Sequence, residues 1–189
     1  MGQPKALLPF GEETLLSRVV RILSGVVDPV VVVAAADQEL PELPAAVRIV
    51  RDVREYAGPL AGMHVGLAAL ASDADAVYIS ACDAPLLRPA FVRAMVAALG
   101  EHDAAVPRDG KFYHPLAGVY RTSLAGRIAS LLDAERLRPL YLIESVKALA
   151  VGLDDLRAAD PALDSLRNLN TMQEYRDALR DGGISAEPH

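Results

Sequence analysis

A single cysteine, Cys82, occurs in the 189 residues. A lone thiol excludes an internal disulfide and any zinc or iron–sulfur centre built from several cysteines, and it fits a reducing, cytoplasmic setting. Basic residues are also in short supply: 19 Lys and Arg stand against 25 Asp and Glu, for a net charge of −6. That balance excludes broad binding to nucleic acid or to an anionic membrane, which needs a basic surface. A nucleotide pocket, which needs only a few local cations, is not excluded. No uninterrupted apolar stretch reaches the ~18 residues needed to span a bilayer, and no signal-like segment opens the chain. Internal repeats and Gly-, Ser- or Pro-rich linkers are absent as well. What is present is apolar material, 52% of the residues against 23% charged, enough for a sizeable core. We expect one domain over residues 1–181 and a loose tail over 182–189.

The apolar pattern alternates between two periods. Leu15, Leu16, Val19, Val20, Ile22 and Leu23 fall at helical spacing behind a Thr14 cap. Val30 to Ala35 is a β-branched run without polar alternation, as in a strand buried on both faces. Further strands are expected at Val47–Val50, Ala76–Ser80, Ala104–Val106, Leu116–Tyr120 (antiparallel to the others) and Ala148–Val151. Helices are expected at Gly58–Ala71, Pro89–Leu99, Ser123–Leu132, Pro139–Ser145 and Met172–Arg180, the last capped by Thr171 after an extended Leu166–Asn170. Alternating strands and helices point to an α/β protein, Rossmann-like, with three α/β/α layers around a mostly parallel sheet.

In such sheets ligands bind outside the carboxyl ends of the strands. Asp52, Asp83 and the pair Asn168/Asn170 fall at such ends. Lys5 lies in a loop that leads into an apolar run and a helix. Two carboxylates, two amides and a lysine at one edge suit a metal–triphosphate complex, because Mg²⁺ takes hard oxygen ligands and keeps one or two carboxylates with phosphate oxygens. Each residue also has a plainer reading. Asp83, ahead of Pro85, can be a turn or cap, and Lys5 a solvated surface charge. Asp52 can be a turn residue or a partner of Arg51 or Arg54. Gly58-Pro59-Leu60-Ala61-Gly62 can be a tight turn opening a closely packed helix. Asn168 and Asn170 share one side of an extended segment, where they can serve ordinary turn bonding. His114 reads as structural, His64 as an exposed helix residue, and Cys82 as a small buried hydrophobe. No Ser-His-Asp or zinc-binding pattern stands out.

Five segments in order resemble the molybdenum cofactor guanylyltransferase (MobA-like) family, within the nucleotide-diphospho-sugar transferase superfamily. They are Met1-Gly2-x-x-Lys5-Ala6-Leu7-Leu8, Arg51-Asp52 followed by Gly58-Pro59-Leu60-Ala61-Gly62, Cys82-Asp83-Ala84-Pro85, His114-Pro115, and Asn168-Leu169-Asn170-Thr171. The resemblance covers nearly the whole chain. It implies a cytoplasmic nucleotidyltransferase, monomeric or weakly self-associating, that joins GMP from GTP to molybdopterin and releases pyrophosphate. It implies catalytic roles for Lys5 and Asp83. The nucleotide would be bound by Lys5, Asp52, Gly58, Pro59, Leu60, Gly62 and Asp83, and Mg²⁺ by Asp83 and Asn170. Two departures accompany it. The family's first strand and Gly-Gly turn, with their phosphate-cradling N–H groups, have no counterpart here. We therefore expect the start to lie downstream of the family's, or the chain to be trimmed, with Met1 an internal methionine of its signature; losing that strand would leave neighbouring strands unpaired and costly to bury. Ala34-Ala35-Ala36 stands where relatives often carry a polar residue near the base, so the base stays open between guanine and cytosine. A transferase acting on another phosphorylated acceptor and an inactive nucleotide-binding protein are the alternatives.

Overall fold

The computed structural model describes residues 4–52 and 58–184. Met1, Gly2 and Arg54, invoked above, lie outside them, as does the end of the tail. Seven α-helices and nine strands are present among the described residues. Lys5–Leu7 forms a single 3₁₀ turn, followed by a small hairpin of β1 (Pro9–Phe10) and β2 (Glu13–Thr14). Thr14 then caps α1 (Leu15–Ser24), its hydroxyl accepting from the Ser17 N–H at 3.1 Å. The helix buries Leu15, Leu16, Val19, Val20 and Leu23, the stripe that its spacing predicts.

β3 (Val31–Ala35) pairs in parallel with β4 (Arg48–Asp52), and α2 (Gly58–Leu70) leads to β5 (Ala76–Tyr78). After α3 (Pro89–Ala98), β5 belongs to a separate five-stranded sheet in the order β5, β8, β6, β7, with β9 on the free edge of β6. Here β6 is Ala104–Asp109, β7 Phe112–Tyr113, β8 Val119–Arg121 and β9 Ala148–Gly152. β8 is antiparallel to both β5 and β6, while β9 is parallel to β6. So β5, β6 and β9 run one way, and β8 is the reversed strand that the sequence predicts. α4 (Ala125–Asp133), α5 (Pro139–Glu144), the short α6 (Leu153–Leu156) and α7 (Met172–Asp181) complete the chain.

Between β3 and β5 the sheet is interrupted. Among the described residues β3 pairs only with β4, and β5 only with β8. A cavity of about 580 Å³ lies between them. This is the gap expected from the resemblance. It also changes the burial of β3: Val32 and Ala34 are buried, but Val31 and Val33 are only half-buried because they look into the cavity. The expectation of a strand buried on both faces therefore holds for one face only.

Other expectations need correction. The first half of Leu116–Tyr120 is a 3₁₀ turn over Pro115–Ala117. Gly118 follows it at a place where an added Cβ would stand 2.9 Å from the Ala105 carbonyl oxygen, a backbone approach only glycine allows. Leu166 ends another 3₁₀ turn, Asp164–Leu166, rather than opening an extended piece. His64 is half-buried on α2, not exposed. The tail is docked at its start: the Ile184 N–H donates to the Leu179 carbonyl, and its side chain packs with Leu8, Phe10 and Leu179. No described helix is long and apolar enough to cross a membrane.

Candidate active site

Three side chains from distant parts of the chain meet at one point. The Lys5 ammonium donates to an Asp83 carboxylate oxygen at 2.6 Å and to the Asn170 side-chain oxygen at 2.8 Å. Asp83 is 7% exposed, so its charge is largely removed from water and needs a partner.

Each is held by local structure. Lys5 sits in the 3₁₀ turn, whose Ala6 is buried against Leu16, Val20 and Val32, with Cys82 packed alongside. Asp83 follows β5 in a turn that α1 braces, the Arg18 Nε donating to the Pro85 carbonyl at 2.8 Å. The same guanidinium lies 5.0 Å over the Phe10 ring. Asn170 stands at the mouth of α7. There the Glu174 carboxylate accepts the N–H groups of both Asn170 and Thr171, while the Thr171 hydroxyl accepts the Glu174 N–H. These bonds to the charged form hold the Glu174 carboxyl below its ordinary range. The Leu169 N–H donates to the Asp83 carbonyl at 3.0 Å and locks the two segments together. Leu169 is 1% exposed while Asn168 and Asn170 face outward together, as the alternation predicts. Tyr175, packed edge-on to Phe10, donates its hydroxyl to the Pro9 carbonyl, tying α7 to the hairpin.

Beside this cluster a second cavity, about 430 Å³, is lined by His114, Arg167, Asn168, Asn170, Glu174 and Asp177. His114 is half-buried, and burial pushes its imidazole below the ordinary histidine range against the weaker pull of Asp109. Burial and the neighbouring Asp83 carboxylate push the Cys82 thiol up. It stays protonated, as suits the small buried hydrophobe rather than a nucleophile.

The remaining candidates are not drawn into the cluster. Asp52 is half-buried at the last position of β4, and the neighbouring Arg51 donates to the carbonyls of Ala35 and Gln38. Gly58 has φ +67°, and a Cβ there would lie 3.8 Å from the Leu137 carbonyl oxygen. Pro59 and Gly62 line the apolar cavity between β3 and β5. Leu60 is fully buried in the core, so a ligand could meet it only through its backbone.

Sequence reasoning missed the supports of the site. Arg88 at the mouth of α3 pairs with buried Asp160 at 3.1 Å and with Asp164 at 2.8 Å, and Asp164 also pairs with Arg167. This network ends on Arg167, the residue before Asn168. Its partners are far apart in sequence and left no signal. Glu174 did leave one, since Thr-x-x-Glu ahead of a helix is the capping-box pattern. The donors at the cluster are one carboxylate and one amide oxygen, hard ligands already grouped around a cation. Among the described residues no group of three or more His, Cys, Asp and Glu that could hold a metal is found, at this cluster or elsewhere.

The fold is mixed α/β, and the comparisons with known proteins make the chain a nucleotidyltransferase. The structure is similar to that of molybdopterin-guanine dinucleotide biosynthesis protein A from Archaeoglobus fulgidus, with a TM-score of 0.79, 20% identity, and 96% of this chain and 92% of that one covered. It is also similar to 2-C-methyl-D-erythritol 4-phosphate cytidylyltransferase from Thermus thermophilus, with a TM-score of 0.64, 17% identity, and coverage of 96% and 95%. Both likenesses establish the fold alone. The profile of the MobA-like NTP transferase domain matches residues 1–149. A probable molybdenum cofactor guanylyltransferase of Mycobacterium avium is 39% identical over 93% of this chain and 87% of its own length. One from Methanosarcina acetivorans is 32% identical over 93% and 82%. The chain belongs to the MobA-like NTP transferase family.

Proposed function

We propose that the protein transfers GMP from GTP to the terminal phosphate of molybdopterin, with Mg²⁺ bound, and releases pyrophosphate. The observation that carries this reading is the convergence of Lys5, Asp83 and Asn170 at the ligand edge of the sheet. The relatives named molybdenum cofactor guanylyltransferases support the choice of substrates. In the reaction an oxygen of the acceptor phosphate bonds to the α-phosphorus of GTP, and the bond from that phosphorus to the bridging oxygen of pyrophosphate breaks.

Asp83 and Asn170 would hold the metal ion. When bound, Mg²⁺ neutralises charge on the triphosphate. With a divalent ion held by these two oxygens, the Lys5 ammonium would be available to the phosphates, where negative charge grows on the leaving group. Asp52 and the start of α2 from Gly58 to Gly62 would contribute from the nucleotide side. A phosphate nucleophile is already ionised near neutrality, so no general base is required. The neutral, half-buried His114 is consistent with that. The cavity beside Asn170 would receive the acceptor.

The test is pyrophosphate release with molybdopterin as acceptor and GTP, CTP, ATP and UTP in competition, with and without Mg²⁺. We expect metal-dependent turnover of GTP ahead of the others. Preference for CTP would reassign the base, a reading that the apolar Ala34-Ala35-Ala36 leaves open. No turnover from a sample that is folded and binds nucleotide would make the chain a binding protein.

A further inference from the structure

Among the hydrogen bonds around Asn170, one is surplus to the helix that follows. A capping box closes with two bonds: the Thr171 hydroxyl accepts the Glu174 N–H at 3.1 Å, and the Glu174 carboxylate accepts the Thr171 N–H at 2.8 Å. The Asn170 N–H stands one position ahead of the cap, outside the groups that the start of a helix leaves unpaired. Yet the same oxygen, Glu174 Oε2, accepts it as well, again at 2.8 Å. Helix capping does not call for this bond.

The residue it holds is the one whose side chain completes the cluster. The Asn170 side-chain oxygen accepts from the Lys5 ammonium at 2.8 Å, and Asn170 is exposed, so hydrogen bonds rather than packing must aim it. On its amino side the backbone is pinned at Leu169, which is buried and donates its N–H to the Asp83 carbonyl at 3.0 Å. A bond on the Asn170 N–H itself restrains the torsion that directs the Cα–Cβ bond. Bonds from N–H groups to a carboxylate are charge-assisted and roughly twice as strong as neutral ones. Partners one step behind a ligating group set its direction in this way at many metal sites.

The position of α7 does not depend on Glu174 alone. The Tyr175 hydroxyl donates to the Pro9 carbonyl, and Ala178 and Leu179 are buried against Leu8, Phe10 and Leu15. Loss of the carboxylate should therefore loosen Asn170 while the helix stays docked. We propose that Glu174 is a positioning residue, whose carboxylate aims the Asn170 side chain at Lys5 and Asp83 and thereby sets the affinity of the cluster for a divalent cation. This rests on the reading of Asp83 and Asn170 as the groups that hold the ion.

The test compares Glu174→Ala, Glu174→Gln and Thr171→Ala with the unmodified chain. Thr171→Ala is the capping control: it removes the cap hydroxyl and leaves both N–H bonds to Glu174. Mn²⁺ binding is read by calorimetry without nucleotide, and the Asn170 side-chain amide by nuclear magnetic resonance. We expect Glu174→Ala to weaken Mn²⁺ binding by about tenfold, the low end for a partner of a metal ligand, and to shift the Asn170 amide signals. Glu174→Gln, whose amide oxygen can accept the same two N–H groups, should recover part of that affinity. Thr171→Ala should lower Tm at least as much as Glu174→Ala does, with Mn²⁺ affinity changed by less than about twofold. Unchanged Mn²⁺ affinity in Glu174→Ala overturns the proposal. So does a loss of affinity in Thr171→Ala that keeps step with its Tm, which would leave Glu174 a helix cap and nothing more. If the unmodified chain binds no Mn²⁺, the metal reading itself fails. Asn170 signals that still move in Glu174→Ala but not in Thr171→Ala would then support the positioning role toward Lys5, and signals that stay in place would overturn it.

Discussion

The cavity between β3 and β5 holds about 580 Å³ behind walls of valine, leucine and methionine; the cleft beside Asn170 holds about 430 Å³ among a histidine, two asparagines, an arginine and two carboxylates. The larger space is the more apolar one. Apolar volume reports on what must be packed there, because its free energy scales with area and is non-directional. Polar convergence reports on chemistry, because a buried charge such as Asp83 is tolerated only where partners are fixed in advance. Substitutions at Lys5 and Asp83 should therefore change turnover more than stability, and substitutions around the apolar cavity should do the reverse.

The largest effect should come from Asp83→Ala. Removing the one buried carboxylate of the cluster should lower kcat/KM for GTP by about a hundredfold or more, since a bound metal ion contributes several kcal/mol to such transition states. Circular dichroism should show the fold retained. Mg²⁺-dependent turnover in that variant would remove Asp83 from the site. Next, Lys5→Met should lower kcat/KM by about tenfold, the value of a ~1.4 kcal/mol interaction. It should also tighten Mn²⁺ binding measured by calorimetry without nucleotide, because the ammonium no longer competes for the Asp83 and Asn170 oxygens. Unchanged kinetics and unchanged metal affinity would mean that the lysine is only a surface charge.

On the other side of the comparison, Gly66→Ala acts on the wall of the apolar cavity between β3 and β5. Its Cβ would meet Val33 at 3.5 Å, an ordinary contact, on a helix interior where glycine is unfavourable. We expect stabilisation by about 0.5–1 kcal/mol in urea unfolding with kcat unchanged. A loss of activity would show the two regions to be coupled. The smallest effect concerns His114. Its folded pKa is depressed by burial, so on acidification the unfolded chain binds a proton that the folded chain resists. Stability should be fully present above the ordinary histidine pKa and fall as pH drops from there toward the folded value. His114→Asn should flatten that slope in melts between pH 7.5 and 5.5; an unchanged slope would assign the acid sensitivity to other groups.

Much of this was readable along the chain. The period of α1, its Thr14 cap, the short runs of β3 and β5, and the order of helices and strands follow from local rules, so the α/β class emerged without coordinates. Lys5, Asp83 and Asn170 could be named because each sits at the end of an element, where chain geometry sends side chains toward the ligand edge. The resemblance raised their weight but did not bring them together. Leu60 and Gly62 lie within the motif that carries the resemblance; Leu60 is buried in the core and Gly62 lines the cavity between β3 and β5, positions that only the tertiary structure gives.

Sequence by itself determined the elements, their order and the residue types available for chemistry, because hydrophobic period, caps and turn residues act within a few positions. The tertiary structure alone decided that residues 78 and 165 positions apart from Lys5 share its ammonium. It alone decided that Arg88 pairs with Asp160 and Asp164, and that β3 and β5 line opposite walls of one apolar cavity. Those are long-range contacts, fixed by packing and by the satisfaction of buried polar groups, and no local pattern encodes them.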